Sequence, residues 1–227
     1  MMSRTLRVLA RLLGYPDLEL RAHLPELRQA LREDAALGPA RLAEVEALIG
    51  AIARQAPLDA EADYVQLFDS GRRTALHLFE HVHGDSRERG PAMIDLARTF
   101  EQAGLYLAHG EMPDHLPVLL EFASTLSVRA ATDFLGEFAH LINGIFAALE
   151  KRESRYASVM GALLDLAGVP ARPVQIEEDE TPDASWNEPA AFDGCGAAGR
   201  SASGSAQRLQ FVRNPGRHDA SALPEIR

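Results

Sequence analysis

From the N-terminus to about residue 170, apolar side chains recur at spacings of three and four, the period of helices with one buried face. Leu6, Leu9 and Leu13 open the pattern, and Gly14-Tyr15-Pro16 stops it. Asp17 caps a second segment carrying Leu20, Leu24, Leu27 and Leu31, with Pro25 a kink or break inside it. A third runs from about Pro39 to Ala56, with Leu42, Val45, Leu48, Ile49 and Ile52 on one face. Asp59 opens a fourth, holding Tyr64, Leu67 and Phe68, and Gly71 ends it.

The segment from Thr74 to His83 reads as a short helix closed by Gly84. Arg89-Gly90-Pro91 breaks the chain or starts the next helix, which carries Met93, Ile94, Leu96, Phe100 and Leu105. Pro113-Asp114-His115 begins another, with Leu116, Leu119, Leu120 and Phe122; its proline suits a first turn and its aspartate the positive end of the dipole. The clearest periodicity is Phe134, Phe138, Leu141, Ile142, Ile145, Phe146 and Leu149, one stripe over four turns. A last helix with Tyr156, Val159, Leu163, Leu164 and Leu166 closes at Gly168-Val169-Pro170. No segment alternates with period two long enough to make a strand. The pattern predicts an all-α protein, with about eight or nine helices in one bundle-like domain over residues 1–173.

Composition changes the picture beyond that point. Residues 174–227 contain the acidic run Glu177-Glu178-Asp179-Glu180 and a Gly/Ala/Ser mixture from Gly194 to Ser205. Residues 176–227 hold nine acidic against five basic side chains, so −4 of the net −10 sits there. Such a sequence buries too little apolar surface to offset ordering entropy, and a disordered tail is expected. Trp186, Phe192 and Phe211-Val212 are apolar exceptions able to dock on the domain or on a partner.

The net charge of −10 argues against nucleic-acid binding, which needs a basic surface, and against adhesion to anionic lipid. The single cysteine, Cys195, permits no internal disulfide and no cysteine-rich metal or iron–sulfur site. No secretory signal and no apolar run of about 18 residues is seen, so a cytoplasmic protein is expected. Cys195 has no rigid base beside it, and neither a nucleophile elbow nor a phosphate-binding glycine loop occurs. No bound cofactor or metal is expected.

Two polar islands interrupt the apolar pattern, from Asp69 to Arg89 and from Glu111 to His115, and together they hold four of the eight histidines. In the first, His77, Glu80 and His81 spell H-x-x-E-H. On one helix His77 and His81 would share a face, able to grip Zn²⁺ while Glu80 activates a water. A catalytic zinc needs a third ligand, and Glu111, Asp114, His115, Glu121, Glu137 and His140 form no recognisable second half of such a motif. A zinc-dependent hydrolase is therefore the rival reading. The other is that the islands form a binding surface between core helices.

Read with their flanks, the islands carry a longer likeness. Leu12-Leu13-Gly14-Tyr15-Pro16, Tyr64 to Asp69, Leu76 to Gly90 with its core Leu78-Phe79-Glu80-His81-Val82-His83-Gly84-Asp85-Ser86-Arg87, Asp95-Leu96, Glu101, Gly104-Leu105 and Pro113 to Pro117 follow in order. In these positions the chain resembles the NarJ-type chaperones, the delta subunits that assist molybdenum-cofactor assembly of respiratory nitrate reductase. These belong to a wider redox-enzyme maturation family that includes TorD and DmsD. The likeness covers about residues 3–170. It implies a non-enzymatic all-α chaperone that binds the apo catalytic (alpha) subunit, notably its N-terminal segment. Such a chaperone keeps the subunit open for cofactor insertion and delays its membrane docking. A maturation chaperone for a different molybdoenzyme is the near alternative. The wider family's E-x-P-D-H-like motif falls on Glu111, Pro113, Asp114 and His115.

Candidate partner contacts follow. Tyr64, Leu67, Phe68, Leu116 and Leu119 supply part of an apolar groove for a helical peptide. Asp69, Glu80, Asp85, Glu111 and Asp114 meet basic side chains on that peptide. His77, His81, His83, His115, Arg87 and Pro113 complete the surface.

Overall fold

The computed structural model describes residues 2–84 and 86–172; the expected tail at 174–227, Cys195 and Asp85 lie outside the described residues. Ten α-helices and one 3₁₀ turn account for the order of elements. They are α1 (Ser3–Leu12), α2 (Leu18–Ala22), α3 (Leu24–Asp34), α4 (Pro39–Arg54) and α5 (Pro57–Phe68). The 3₁₀ turn (Arg72–Thr74) follows, then α6 (Leu78–His83), α7 (Arg89–Gln102), α8 (Leu116–Thr125), α9 (Val128–Lys151) and α10 (Ala157–Leu166). Among the described residues the only pairing of extended backbone is one antiparallel bridge between His77 and His115.

Each helix boundary has a local cause. Asp17 caps α2 by accepting the Leu20 N–H at 2.7 Å. The segment expected as one helix from Asp17 to Leu31 is two, because Pro25 has no N–H to continue the ladder and instead serves the first turn of α3. That split adds one helix to the eight or nine expected, giving ten among the described residues. Pro39 and Pro57 start α4 and α5 in the same way. The C-terminal carbonyls of α4 are met by Arg21, which donates to Ile52 O at 2.5 Å and Gln55 O at 2.6 Å. At the end of α10, Gly168 takes φ +69°, the left-handed conformation that closes a helix.

The core lies where α1 packs on α8 and α3, and where α9 and α10 form an antiparallel hairpin with α10 against α4. Leu6, Leu9, Leu12 and Leu13 of the first segment, with Leu119 and Leu120 of α8, are essentially inaccessible. Each such side chain contributes roughly 1.5–3 kcal/mol of burial. The stripe on α9 sits a little round from the expected one. Leu135, Ile142, Ile145 and Leu149 are buried together with Ala131, Ala139 and Ala148. The alanines allow α9 to approach α10 closely, which rotates Phe134, Phe138, Leu141 and Phe146 to the flank, half-buried. There Phe134 and Phe138 extend a ladder from Phe100 and Phe122, with successive ring centroids 4.6, 5.1 and 5.2 Å apart. No described helix is long and apolar enough to cross a membrane.

Candidate partner-binding site

The two polar islands meet. Leu78 N–H donates to Asp114 O at 3.0 Å, and Leu116 N–H donates to Leu76 O at 2.8 Å, which forms the bridge between His77 and His115. Asp114 stands at the centre of the junction, with no solvent exposure. It is not the dipole partner of its own helix, as its place beside Pro113 suggested. α8 begins at Leu116, and the Asp114 carboxylate turns to α6 instead, accepting the Phe79 N–H at 3.2 Å. It thus caps a helix that starts 36 positions earlier in the chain, α6 having no side-chain cap of its own.

Two cations balance the buried carboxylate. His77 Nδ1 lies 3.3 Å from Asp114 Oδ1, and Arg89 Nη2 lies 3.6 Å from Oδ2 and 3.3 Å from Glu80 Oε1. Burial alone would raise the Asp114 pKa. The hydrogen bond and charge of His77, the Phe79 N–H and Arg89 outweigh it, and the pKa falls below its ordinary value. Conversely, the hydrogen bond to Asp114 raises His77. The ring of His115 stacks on His77, with centroids 4.8 Å apart and planes 27° apart. Burial, and then the charge of His77, lower the His115 pKa. The pair therefore sets an imidazole biased toward the cation against one biased toward the neutral form, face to face.

α6 is held from its other end by Arg72, whose Nε donates to Glu80 O at 2.9 Å while Nη2 makes a second, shorter bond to the same oxygen. Gly84 closes α6 at φ +50°, and a Cβ there would fall 2.5 Å from Arg72 Nη2. The positive φ favours glycine, and a Cβ would also push the end of the Arg72 side chain from its place on Glu80 O.

Between the C-terminus of α5, the 3₁₀ turn and α6 lies a groove of about 580 Å³. Tyr64, Phe68, Asp69, His77, Glu80 and His115 line it, bringing six of the predicted residues together. Tyr64 and Phe68 are mostly buried: Tyr64 donates its hydroxyl to Leu13 O at 2.7 Å, and Phe68 packs edge-on against Tyr156 at 5.1 Å. Leu67 turns to the other side of α5, into a second groove of about 610 Å³ with Ile52 and Tyr156. Ser70 borders both grooves.

The remaining predicted residues fall elsewhere. His81 Nε2 is 2.9 Å from Ala75 O, and His83 packs edge-on against Phe79. Arg87 is exposed in the turn before α7. Glu111 is exposed and accepts the Ala108 N–H at 2.9 Å, away from the groove, while Pro113 and Leu116 are buried. Two residues that shape the groove carried no helical-period signal: Arg72 and Arg89. Their roles depend on contacts across the chain.

The zinc geometry fails at its first ligand. His77 is extended, with φ −85° and ψ 100°, and precedes α6, so the expected helix from Thr74 is in fact a 3₁₀ turn, an extended stretch and a shorter helix. The rings of His77 and His81 are engaged with Asp114 and Ala75, respectively. Among the described residues no group of three His, Cys, Asp or Glu side chains is placed to hold a metal ion.

Comparison with known proteins agrees with this layout. The family described as nitrate reductase delta subunit matches residues 16–160. The nitrate reductase molybdenum cofactor assembly chaperone NarJ of Escherichia coli K12 is 40% identical over 191 residues, covering 80% of this chain and 81% of its own. NarJ of Bacillus subtilis strain 168 is 33% identical, over 70% of this chain and 86% of its own. In fold, the chain is similar to a redox enzyme maturation protein from Archaeoglobus fulgidus, with a TM-score of 0.55 at 20% identity, covering 74% of this chain and 94% of that one.

Proposed function

The chain belongs to the nitrate reductase delta subunit family, and from that premise we propose that it is an assembly chaperone for the molybdenum-cofactor enzyme, not an enzyme itself. The observation that carries this reading is the buried Asp114, which locks the two polar islands into one groove wall without assembling a catalytic set. A chaperone needs such a surface: a rigid backbone junction beneath, with apolar and charged side chains facing a mobile client.

The client is the apo catalytic subunit of nitrate reductase, engaged through its N-terminal segment in the cytoplasm. Tyr64, Phe68 and Leu76 offer apolar contact in the groove, and Asp69 and Glu80 offer carboxylates. The net charge of −10 speeds encounter with a basic segment and sets orientation more than affinity. While the segment is held, the subunit stays open for cofactor insertion and is kept from docking on its membrane partner.

The test is co-expression of the tagged chain with the catalytic subunit, followed by calorimetry with a synthetic peptide of that subunit's N-terminus. Capture of the cofactor-free subunit, and saturable binding of the peptide, are expected. A chain that captures no subunit and binds no peptide ends this assignment. Capture of a different molybdoenzyme instead moves the protein to the neighbouring maturation branch.

A further inference from the structure

Helix α5 has two apolar faces, and the core uses one. Ala60, Tyr64 and Phe68 are buried. Leu58, Ala62 and Val65, spaced four and three apart, lie together on the opposite side and face solvent, with Leu58 78% and Val65 40% exposed. Tyr15, 45% exposed, joins them: its hydroxyl donates to Glu61 at 3.0 Å and its ring meets Tyr64 edge-on at 5.7 Å. Leu18, 72% exposed, begins α2, which Arg21 fixes to the junction of α4 and α5. Of nine exposed large apolar side chains among the described residues, Tyr15, Leu58 and Val65 lie on or against α5, and Leu18 follows Tyr15 by three residues. Such clustering marks an interaction surface more often than scattered exposure does.

Along α5 the charge has one sign. Between Gln55 and Gly71 the sequence holds Asp59, Glu61, Asp63 and Asp69 and neither Lys nor Arg. Arg21 is turned onto the α4 carbonyls and Arg11 is paired with Glu19. Asp69, four residues beyond Val65 on the same face, lines the groove described above. The patch and the groove are therefore continuous.

We infer that the exposed face of α5, with Tyr15 and Leu18, is a docking surface for a basic amphipathic helix of the client, extending the groove toward the N-terminal corner. From Leu58 to Asp69 the crest is about 16 Å long at roughly 1.5 Å per residue, so a helix of about a dozen residues covers it. A second copy of this chain fits poorly, because a self-complementary contact would set Asp59 and Glu61 against their own equivalents. This rests on the reading of the chain as a chaperone for a catalytic subunit.

The test compares the full chain with Leu58→Gln/Val65→Gln and with Asp59→Asn/Glu61→Gln, using the co-expressed catalytic subunit and its N-terminal peptide as probes. All four side chains are outside the core, so melting temperatures should match the parent. The first variant should bind at least about tenfold more weakly, the loss expected when two apolar contacts are removed. The second should lose part of the parent's salt dependence. If the parent binds and both variants match it in affinity and salt response, the docking surface is overturned and the chaperone reading stands. The docking surface is equally overturned if the variants abolish only self-association in sedimentation. If the parent itself binds neither probe, both readings fall.

Discussion

The helical frame and the groove wall are stabilised in opposite ways. The frame of α1, α8, α9 and α10 is a continuous apolar core in which many leucines share the work. The groove wall, from Arg72 to Arg89 with the turn at 113–115, hangs on a few polar contacts that converge on one carboxylate. Hydrophobic burial is non-directional and tolerates local loss. A buried carboxylate is specific in geometry, and it works only when every partner is in place. A chaperone gains from this division: the frame sets whether the chain folds, and the wall sets the shape shown to the client.

The largest separable effect should come from the frame. Leu120→Ala leaves a cavity between α8 and α1 and should cost about 3–4 kcal/mol of global stability, read by urea unfolding. The variant that remains folded should still bind the client, because Leu120 is remote from the groove lining. A binding loss out of proportion to the unfolded fraction would erase the distinction between the two regions.

Asp114→Ala should act the other way round. It removes the cap of α6 and leaves His77 and Arg89 without their shared partner. Both cations keep some access to water, so the cost should be about 2 kcal/mol and not the larger penalty of a sealed ion pair. The expected signature is faster amide exchange at Phe79 with little change in helical content, together with loss of client capture. Equal loss of protection throughout α1 and α8 would show that the wall is part of the frame. Gly84→Ala should cost about 1–2 kcal/mol, since it forces a side chain onto a positive φ and displaces the end of Arg72 from Glu80 O, and it too should disturb α6 first.

These two regions were not equally legible in the sequence. Frame helices follow from period alone: Leu6, Leu9 and Leu13, or Ile142, Ile145 and Leu149, need only a count of three and four. What period cannot give is rotation, and the alanines of α9 moved its phenylalanines to the flank. At the wall, composition singled out two islands that the fold brings together, but local rules misassigned their parts. Asp114 looked like a helix-start residue for α8 and is a cap for α6; His77 looked helical and is extended. Glu111, grouped with Asp114 by sequence, is not among the groove-lining residues and holds the Ala108 N–H. In each case the deciding partner lies more than thirty residues away or on the far side of a turn, where short-range spacing has no reach.

The smallest effect concerns pH, and it probes the wall alone. His77 has its pKa raised above the ordinary 6.5 by Asp114. The stability it contributes is therefore fully present below 6.5 and is lost as pH rises through the folded value. Asp114, lowered from 3.8, contributes stability that is present above 3.8 and is lost as pH falls through its folded value. The two overlap between about pH 4 and 6.5, where the ion pair is intact in the folded state. His115 works against them: its lowered pKa keeps it neutral when folded, so its contribution is present above 6.5 and is lost as pH falls. His77→Gln should therefore destabilise most near pH 5, and its difference from the parent should shrink as pH rises through the folded value of His77. The difference should stay at or below about 1 kcal/mol, because the His77 side chain is 35% exposed and solvent screens the pair. Urea unfolding of both proteins from pH 4.5 to 8.5 measures it. A gap that widens as pH rises would mean that His77 serves the wall by packing on His115 and not by its charge.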